Sequence, residues 1–284
     1  MTTRSEIESL LFLLDDPDEF VRNSVLDRFA SMGESAVPLL DEIRAGTRDE
    51  LKRKTLESFI LKFTFPTLEQ EFLNYLECGV TSHEQLETGI LMLTRLDNPT
   101  IRESVYSRKL DVLANQIETD IRYSLAPFQQ MDMLIRHIFE RHGFQSATEN
   151  YFDAQHAQMN SVLDLKKGIP LNLALVVLFV ARRLDLPFFG VNMPVHFLLR
   201  YEADEQVVYL DPFNKGRVIP MQEMLDFLKR QSIRPEQAYF AAAHPAQMLI
   251  RAMRNLLNSY SRSGDEARSN YVRILITHFE LMAS

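Results

Sequence analysis

The sequence predicts an α+β fold that is mostly α, and three observations carry the prediction. Apolar residues recur at helical spacing through the first third of the chain, in a pattern that repeats. One segment, Leu171 to Leu184, is apolar on nearly every face, as a central buried helix would be. After Gly190 the sequence turns to strand, with Val191 to Tyr201 and Val207 to Leu210 flanking the polar Glu202-Ala203-Asp204-Glu205. The 284 residues divide into three parts on this reading, at 1–98, 99–235 and 236–284.

The first part reads as helical hairpins. Ile7, Leu10, Leu11 and Leu14 lie on one helical face, and Asp15-Asp16-Pro17 breaks that helix. A second helix carries Phe20, Val21, Val25, Leu26 and Phe29 on its apolar face, with Gly33 just past its end. Asp18-Glu19-Phe20-Val21-Arg22 is echoed 31 residues on by Asp49-Glu50-Leu51-Lys52-Arg53. A looser third copy runs from Thr67 to Asn98. A period of 31 to 33 residues built from two helices is the signature of a stacked repeat, so no strand is expected before residue 98. Such a stack is either a protein-binding surface or a stabilising cap.

Residues 99–160 continue mostly helical, with Ile117, Ile121, Leu125, Met133, Leu134, Ile138 and Phe139 as the buried stripe. Pro127 opens a helix that ends near His142-Gly143, and a further helix is expected over 156–164. His137 and His142 are five apart, on different faces of an α-helix, and no metal site is expected there. Gly168-Ile169-Pro170 opens the buried helix and Asp185-Leu186-Pro187 ends it. Near the C-terminus, Leu249 to Leu281 form a helical hairpin around Ser263-Gly264-Asp265.

Composition narrows the function classes. Net charge is −8, and residues 1–100 carry 19 acidic against 10 basic side chains. An acidic surface repels phosphate, and Lys52-Arg53-Lys54 is too small to reverse that, so no nucleic acid partner is expected. The longest apolar stretch, Ile169 to Ala181, is too short to span a bilayer and contains Asn172. With no signal peptide at Met1 to Glu8, the reading is a cytoplasmic protein with no membrane association. One cysteine, Cys78, excludes an internal disulfide framework and multi-cysteine zinc sites, and no cofactor is implied.

Hairpin arithmetic singles out one pair. With the turn centred on Ala203-Asp204, Tyr201 faces Gln206, Leu199 faces Val208 and His196 faces Asp211. Opposed residues on one face have Cβ atoms about 4.5–5.5 Å apart. A carboxylate at that range fixes the tautomer and orientation of an imidazole, as a general base requires. An ordinary buried His–Asp hydrogen bond has the same spacing, so spacing alone leaves both roles open.

Several strings resemble one family. They are Asn150-Tyr151-Phe152-Asp153, Val162-Leu163 with Gly168-Ile169-Pro170-Leu171, Ala181-Arg182-Arg183-Leu184, Pro194-Val195-His196-Phe197-Leu198-Leu199-Arg200-Tyr201 and Leu210-Asp211-Pro212-Phe213-Asn214. Together they look like the bacterial SirB1 family of the transglutaminase-like superfamily, over about residues 120–230. The first hairpins resemble HEAT repeats through Asp15-Asp16-Pro17-Asp18, Val21-Arg22 and Ala36-Val37-Pro38-Leu39-Leu40, and the C-terminal hairpin is similar to a TPR-like cap. The fold implied is HEAT-like hairpins, a transglutaminase-like domain with a small antiparallel sheet, then a TPR-like hairpin.

The superfamily resemblance implies a cysteine–histidine–aspartate constellation with the thiolate at the start of the buried helix. His196 takes the histidine slot and Asp211 the aspartate slot, while the cysteine slot falls among Pro170, Leu171 and Asn172. None is a thiol, Asn172 is an amide, and Ser161 lies seven residues before Gly168. Cys78, in the acidic helical third, reads as a small core or helix-end residue. The expectation is a pseudoenzyme that binds a protein or peptide. The alternative is an amide-bond hydrolase or acyltransferase in which His196 and Asp211 work with another nucleophile or a water.

Overall fold

The computed structural model describes residues 3–14, 16–121 and 126–282, so Asp15 and Leu125 of the sequence reading lie outside the described residues. Helices dominate, and a small antiparallel sheet sits in the second half of the chain. Two compact units divide the chain, one of residues 1–74 with 95–101, the other of residues 75–94 with 102–284.

The first unit begins with α1 (Arg4–Leu13), α2 (Glu19–Met32), α3 (Val37–Gly46) and all but the last three residues of α4 (Glu50–Glu77). Asp18 caps α2 by accepting from the Phe20 N–H, and Gly33 ends it in a positive-φ conformation. Ile7, Leu11, Val25, Phe29, Leu40, Leu56 and Ile60 share one core, in which Phe29 and Phe59 stack at 4.7 Å. Among the described residues up to 98 there is no strand. Phe20 and Leu26, expected on the buried face of α2, are exposed. Val25, Phe29 and Met32 define the inward stripe. At about 100° per residue, Phe20 points away from that stripe and Leu26 sits at its flank. The α4 helix runs through Pro66, so the boundary expected before Thr67 falls inside a helix.

The second unit contains α5 (His83–Leu93), so the third repeat copy expected over Thr67 to Asn98 is divided between the two units. Its capping box uses Ser82 and Gln85. There follow α6 (Glu103–Glu118), α7 (Pro127–Arg136), β1 (Gln145–Ser146), α8 (Met159–Leu165), β2 (Lys167–Gly168) and α9 (Pro170–Arg183). A π-turn over His137–Arg141 extends α7. With the chain closing from His142 N–H to His137 O at 2.8 Å, the two imidazoles come to 6.2 Å. Five-residue spacing separates side chains on an α-helix but stacks them on a π-turn, which corrects the expectation of different faces.

Every residue of α9 from Pro170 to Ala181 is buried, as its sequence demands. At its C-terminal end Arg183 donates to both oxygens of the buried Glu87 carboxylate, at 2.6 and 2.8 Å, and to Asp111 at 2.7 Å. Arg182 and the Ser107 hydroxyl also bind Glu87. This cluster ties α5, α6 and α9 together.

The sheet runs in the order β3 (Phe188–Val191), β4 (Leu198–Ala203), β5 (Gln206–Asp211), β6 (Arg217–Ile219), all antiparallel. The single strand expected from Val191 to Tyr201 is two strands separated by a turn at Pro194-Val195, where proline cannot donate to a ladder. The central hairpin pairs Leu199 with Leu210 and Tyr201 with Val208, two residues from the expected register. Its turn is Asp204-Glu205, with φ of 50° and 61°. A two-residue loop matching strand twist needs positive φ at both positions, which Asp tolerates better than Ala. The turn therefore sits one residue later than expected. A slip of two preserves the face of every side chain, whereas a slip of one would have reversed it.

Two glycines near the sheet, Gly190 and Gly216, leave no room for a side chain. A Cβ on Gly190 would stand 2.6 Å from Met248 Sδ and 2.7 Å from Phe197 Cζ. One on Gly216, where φ is +71°, would stand 2.5 Å from Ile135 Cγ2. After β6 come α10 (Met221–Arg230), α11 (Pro245–Ser263) and α12 (Glu266–Met282), with left-handed Gly264 between the last two.

Removing the carboxylate from the α5–α6–α9 cluster would leave two guanidiniums facing a buried, uncompensated position. Glu87→Ala is expected to destabilise the protein by about 3–5 kcal/mol. Urea unfolding checks this, and a loss under about 1 kcal/mol would show that the cluster is solvated.

Candidate functional site

His196 and Asp211 come together. Nε2 of His196 lies 3.0 Å from Oδ1 of Asp211. They are not cross-strand partners, because His196 precedes β4 by two residues and Asp211 pairs with Arg217 of β6. The imidazole instead reaches the carboxylate from the turn that joins β3 to β4. This is the correction to the hairpin arithmetic: the partners are as expected, and the backbone that joins them is different.

That turn is held firmly. Arg251 of α11 donates to the Met193 carbonyl at 2.9 Å and to the Asn192 side chain. Its guanidinium also lies 5.5 Å from the Phe197 ring centroid. Burial pulls the Arg251 pKa below its ordinary value, and nearby Tyr151 acts the other way. Val195 has φ of 66° and is 66% exposed, while Phe197 is fully buried against Gly190. A β-branched residue in that backbone region is a strained outlier. His196 thus sits between a strained, exposed residue and a locked, buried one.

Asp211 is equally constrained. Its carboxylate accepts from the Phe213 N–H at 2.9 Å and from the Asn214 amide, and its carbonyl accepts from Gly216 N–H at 2.8 Å. Burial would raise its pKa, but the hydrogen bond and charge of His196, with Asn214 and Phe213, hold it below the ordinary value. A carboxylate accepts, so Nε2 of His196 is the nitrogen that donates to Asp211. Nδ1 has no hydrogen-bond partner among the described residues, and the His196 side chain is 18% exposed.

The pair opens onto a cleft of about 240 Å³. Met193, Leu198, Ile219 and Met224 make apolar walls, and the Phe227 ring lies 6.0 Å from the imidazole. Arg217 and Glu223, paired to each other, stand at the cleft with Arg230. Drug-sized ligands occupy about 300–1,000 Å³. This cleft is smaller than that range.

Asn172, at the slot expected for the nucleophile, lies inside the protein. It is the third residue of α9, 1% exposed, and it does not line the cleft. Its Nδ2 donates to the Ala157 carbonyl at 2.9 Å, while its Oδ1 is buried with no hydrogen-bond partner. Cys78 is exposed just beyond α4 and does not line the cleft either. Sequence reasoning missed Arg251 and Phe227. The signal for Arg251 was a cation set among Met248, Leu249, Ala252 and Met253, on the face of α11 that turns inward.

Comparison with known proteins gives a consistent set of similarities. A family model described as the transglutaminase-like superfamily matches residues 104–254. A UPF0162 protein of Pseudomonas aeruginosa is 33% identical over 192 residues, covering 67% of this chain and 70% of its own length. A UPF0162 protein of Xylella fastidiosa is 28% identical over 190 residues, 63% of this chain and 66% of its own length. The human F-box only protein 21 is 28% identical over 144 residues, 48% of this chain and 22% of its own length. No solved structure matches this chain.

Two outcomes follow from the geometry. Left-handed backbone costs an L-residue roughly 1–2 kcal/mol, and the added freedom of glycine in the unfolded chain offsets about 0.4–1 kcal/mol of that. Val195→Gly is therefore expected to leave stability unchanged or raise it by up to about 1 kcal/mol, measured by thermal unfolding; a clear loss would show that the valine packs. The low pKa of Asp211 contributes stability that is full above the ordinary value of 3.8 and fades as pH falls through the folded value. The stability gap between wild type and Asp211→Asn is expected to be widest at neutral pH and to close below that value. A gap that persists undiminished at pH 2 would mean that the carboxylate charge is not what holds the pair.

Proposed function

Since the chain belongs to the transglutaminase-like superfamily, we propose that it is a SirB1-family pseudoenzyme that uses the cleft beside His196 to hold a peptide or protein segment. The observation that carries this reading is the state of the residue at the nucleophile slot. Asn172 is sealed in the protein and its amide is engaged by the Ala157 carbonyl, a structural arrangement with no reactive atom. Loss of the nucleophile lowers turnover about 10⁶-fold in the subtilisin example. The exposed Cys78 stands outside the cleft and supplies no replacement. His196 and Asp211 then serve as a polar end wall that hydrogen-bonds a bound backbone. The small cleft volume favours a peptide segment over a large cofactor. On the same reading the helices of residues 1–98 are HEAT-like and α11–α12 form a TPR-like cap. The first would add a protein-binding face or a stabilising one.

One observation favours a second reading, an amide-bond hydrolase or acyltransferase. His196 keeps an unpartnered Nδ1 with its proton-bearing nitrogen fixed on Asp211, which is the arrangement of a general base. Such an enzyme would activate water or an unassigned hydroxyl, with backbone amides at the start of α9 as oxyanion donors.

Incubation with a labelled primary amine and a glutamine-bearing acceptor separates the two. No incorporation is expected from the intact protein, and hydroxylamine should trap no acyl-enzyme. Incorporation that disappears in His196→Ala would overturn the pseudoenzyme reading. A companion variant probes the slot itself. The thiol of Asn172→Cys is expected to resist iodoacetamide in the folded protein, because the position it replaces is closed to solvent. Alkylation as fast as that of Cys78 would show that the start of α9 opens to the outside.

A further inference from the structure

A second concavity, sharing no residue with the cleft at His196, lies along α6 where it meets α8 and the corner leading to β2. Its volume is about 430 Å³. On α6, Val105 and Val112 are 45% and 49% exposed, two turns apart on the face that should be polar in a surface helix. Leu113 and Leu163 are buried beneath them and complete an apolar floor.

Cations ring this floor. Arg108, Lys109 and Lys166 line it together with His142, and no carboxylate does. Arg108 has no ion-pair or hydrogen-bond partner among the described residues. Lys109 is held beside the groove by Asp164, which also accepts from the Tyr106 hydroxyl at 2.8 Å. Lys166 stands in left-handed backbone at the end of α8, its ammonium 4.3 Å from the Phe144 ring centroid. Burial, and then the charge of Lys109, push the Lys166 pKa down, with Asp164 opposing. His142 is lowered by burial and then by Lys166. Positive charge is therefore crowded here, on a chain whose net charge is −8.

We infer that this groove binds a small organic anion with an apolar body, of the class of a medium-chain carboxylate. The apolar floor takes the body, and Arg108 with Lys166 takes the carboxylate. The volume falls within the range of small-molecule sites, about 300–1,000 Å³. A polyanion is disfavoured because the cations at the groove are few, Arg108, Lys109, Lys166 and His142, and Lys109 is already paired with Asp164. A compact monoanion that enters the groove meets only its cations.

The experiment titrates the intact protein with octanoate, below its micellar range, by calorimetry and by methyl and amide NMR. Octanol, inorganic phosphate and phosphatidylserine vesicles serve as the separating probes. Octanoate is expected to bind and to shift the resonances of Val105, Val112 and Leu163. Octanol and phosphate should each bind at least tenfold more weakly, since each supplies half of the chemistry. Arg108→Glu and Lys166→Glu should each weaken octanoate at least tenfold. Should Lys166→Glu unfold, the exposed Arg108→Glu and Val112→Asp carry the test alone. Equal affinity for octanol would reduce the groove to an apolar patch, and equal affinity for phosphate to a charge cluster. Tighter capture by vesicles would make it a membrane surface. Any of these, or octanoate binding that survives Arg108→Glu, overturns the inference.

Discussion

The complete burial of α9 is the constraint on which the second unit depends. Its apolar residues run from Leu171 to Ala181 with Asn172 as the one polar member, so no face can be left to water. Each fully buried Leu, Val or Phe contributes roughly 1.5–3 kcal/mol, which makes this helix the largest apolar commitment in a single element. Neighbours must enclose it on all sides. The strands β3 and β4 and the helices α5, α6 and α8 do so, and their positions follow from that requirement. Both ends of α9 meet polar groups at the limits of its burial. Asn172 donates to the Ala157 carbonyl at one end, and Arg182 and Arg183 engage Glu87 at the other. Cations at a helix C-terminus also suit its dipole.

The His196–Asp211 pair is a product of loops fixed upon this scaffold. Neither side chain leaves the middle of a strand, and their contact owes nothing to a ladder partner. The turn before His196 is held by Arg251 and Phe197, and the turn after Asp211 by its own hydrogen bonds to Phe213, Asn214 and Gly216. Rigidity of this kind serves a binding wall and a general base equally well. What differs between the two is the presence of a nucleophile, and Asn172 is buried away from the cleft with its Nδ2 donating to the Ala157 carbonyl.

Much of this was legible in the sequence, and the failures have physical causes. Helix ends marked by Pro127, Pro170, Gly33 and Gly264 fall where proline geometry and left-handed glycine put them. The partners His196 and Asp211 were also legible, but not the route between them: His196 lies before β4, and its imidazole reaches Asp211 from a turn and not across a ladder. The register itself was not, since it turns on which residues accept positive φ, and Asp204 and Glu205 do so here. Periodicity gave no warning of the π-turn at His137–Arg141, which is a local departure from the very period being read. Nor could it place α5, whose apolar face is generic; Glu87, which binds it to Arg183 some 96 positions away, looks in sequence like any solvated carboxylate. Tertiary pairing of charges leaves no local trace.

The two crowded glycines divide the site into parts with unequal freedom to evolve. At Gly190 and Gly216 a single added methyl group would collide with Phe197 or Ile135, beside one member of the pair or the other. Drift at those positions is transmitted to the imidazole or the carboxylate. The opposite wall is different: α10 is a short amphipathic helix that contributes Glu223, Phe227 and Arg230 to the cleft, and it supplies none of the atoms that crowd either glycine. Substitutions there can reshape what the cleft accepts while the pair stays in place. The fold therefore separates an inflexible gauge from an exchangeable mould, and the shape of the cleft can change through one helix.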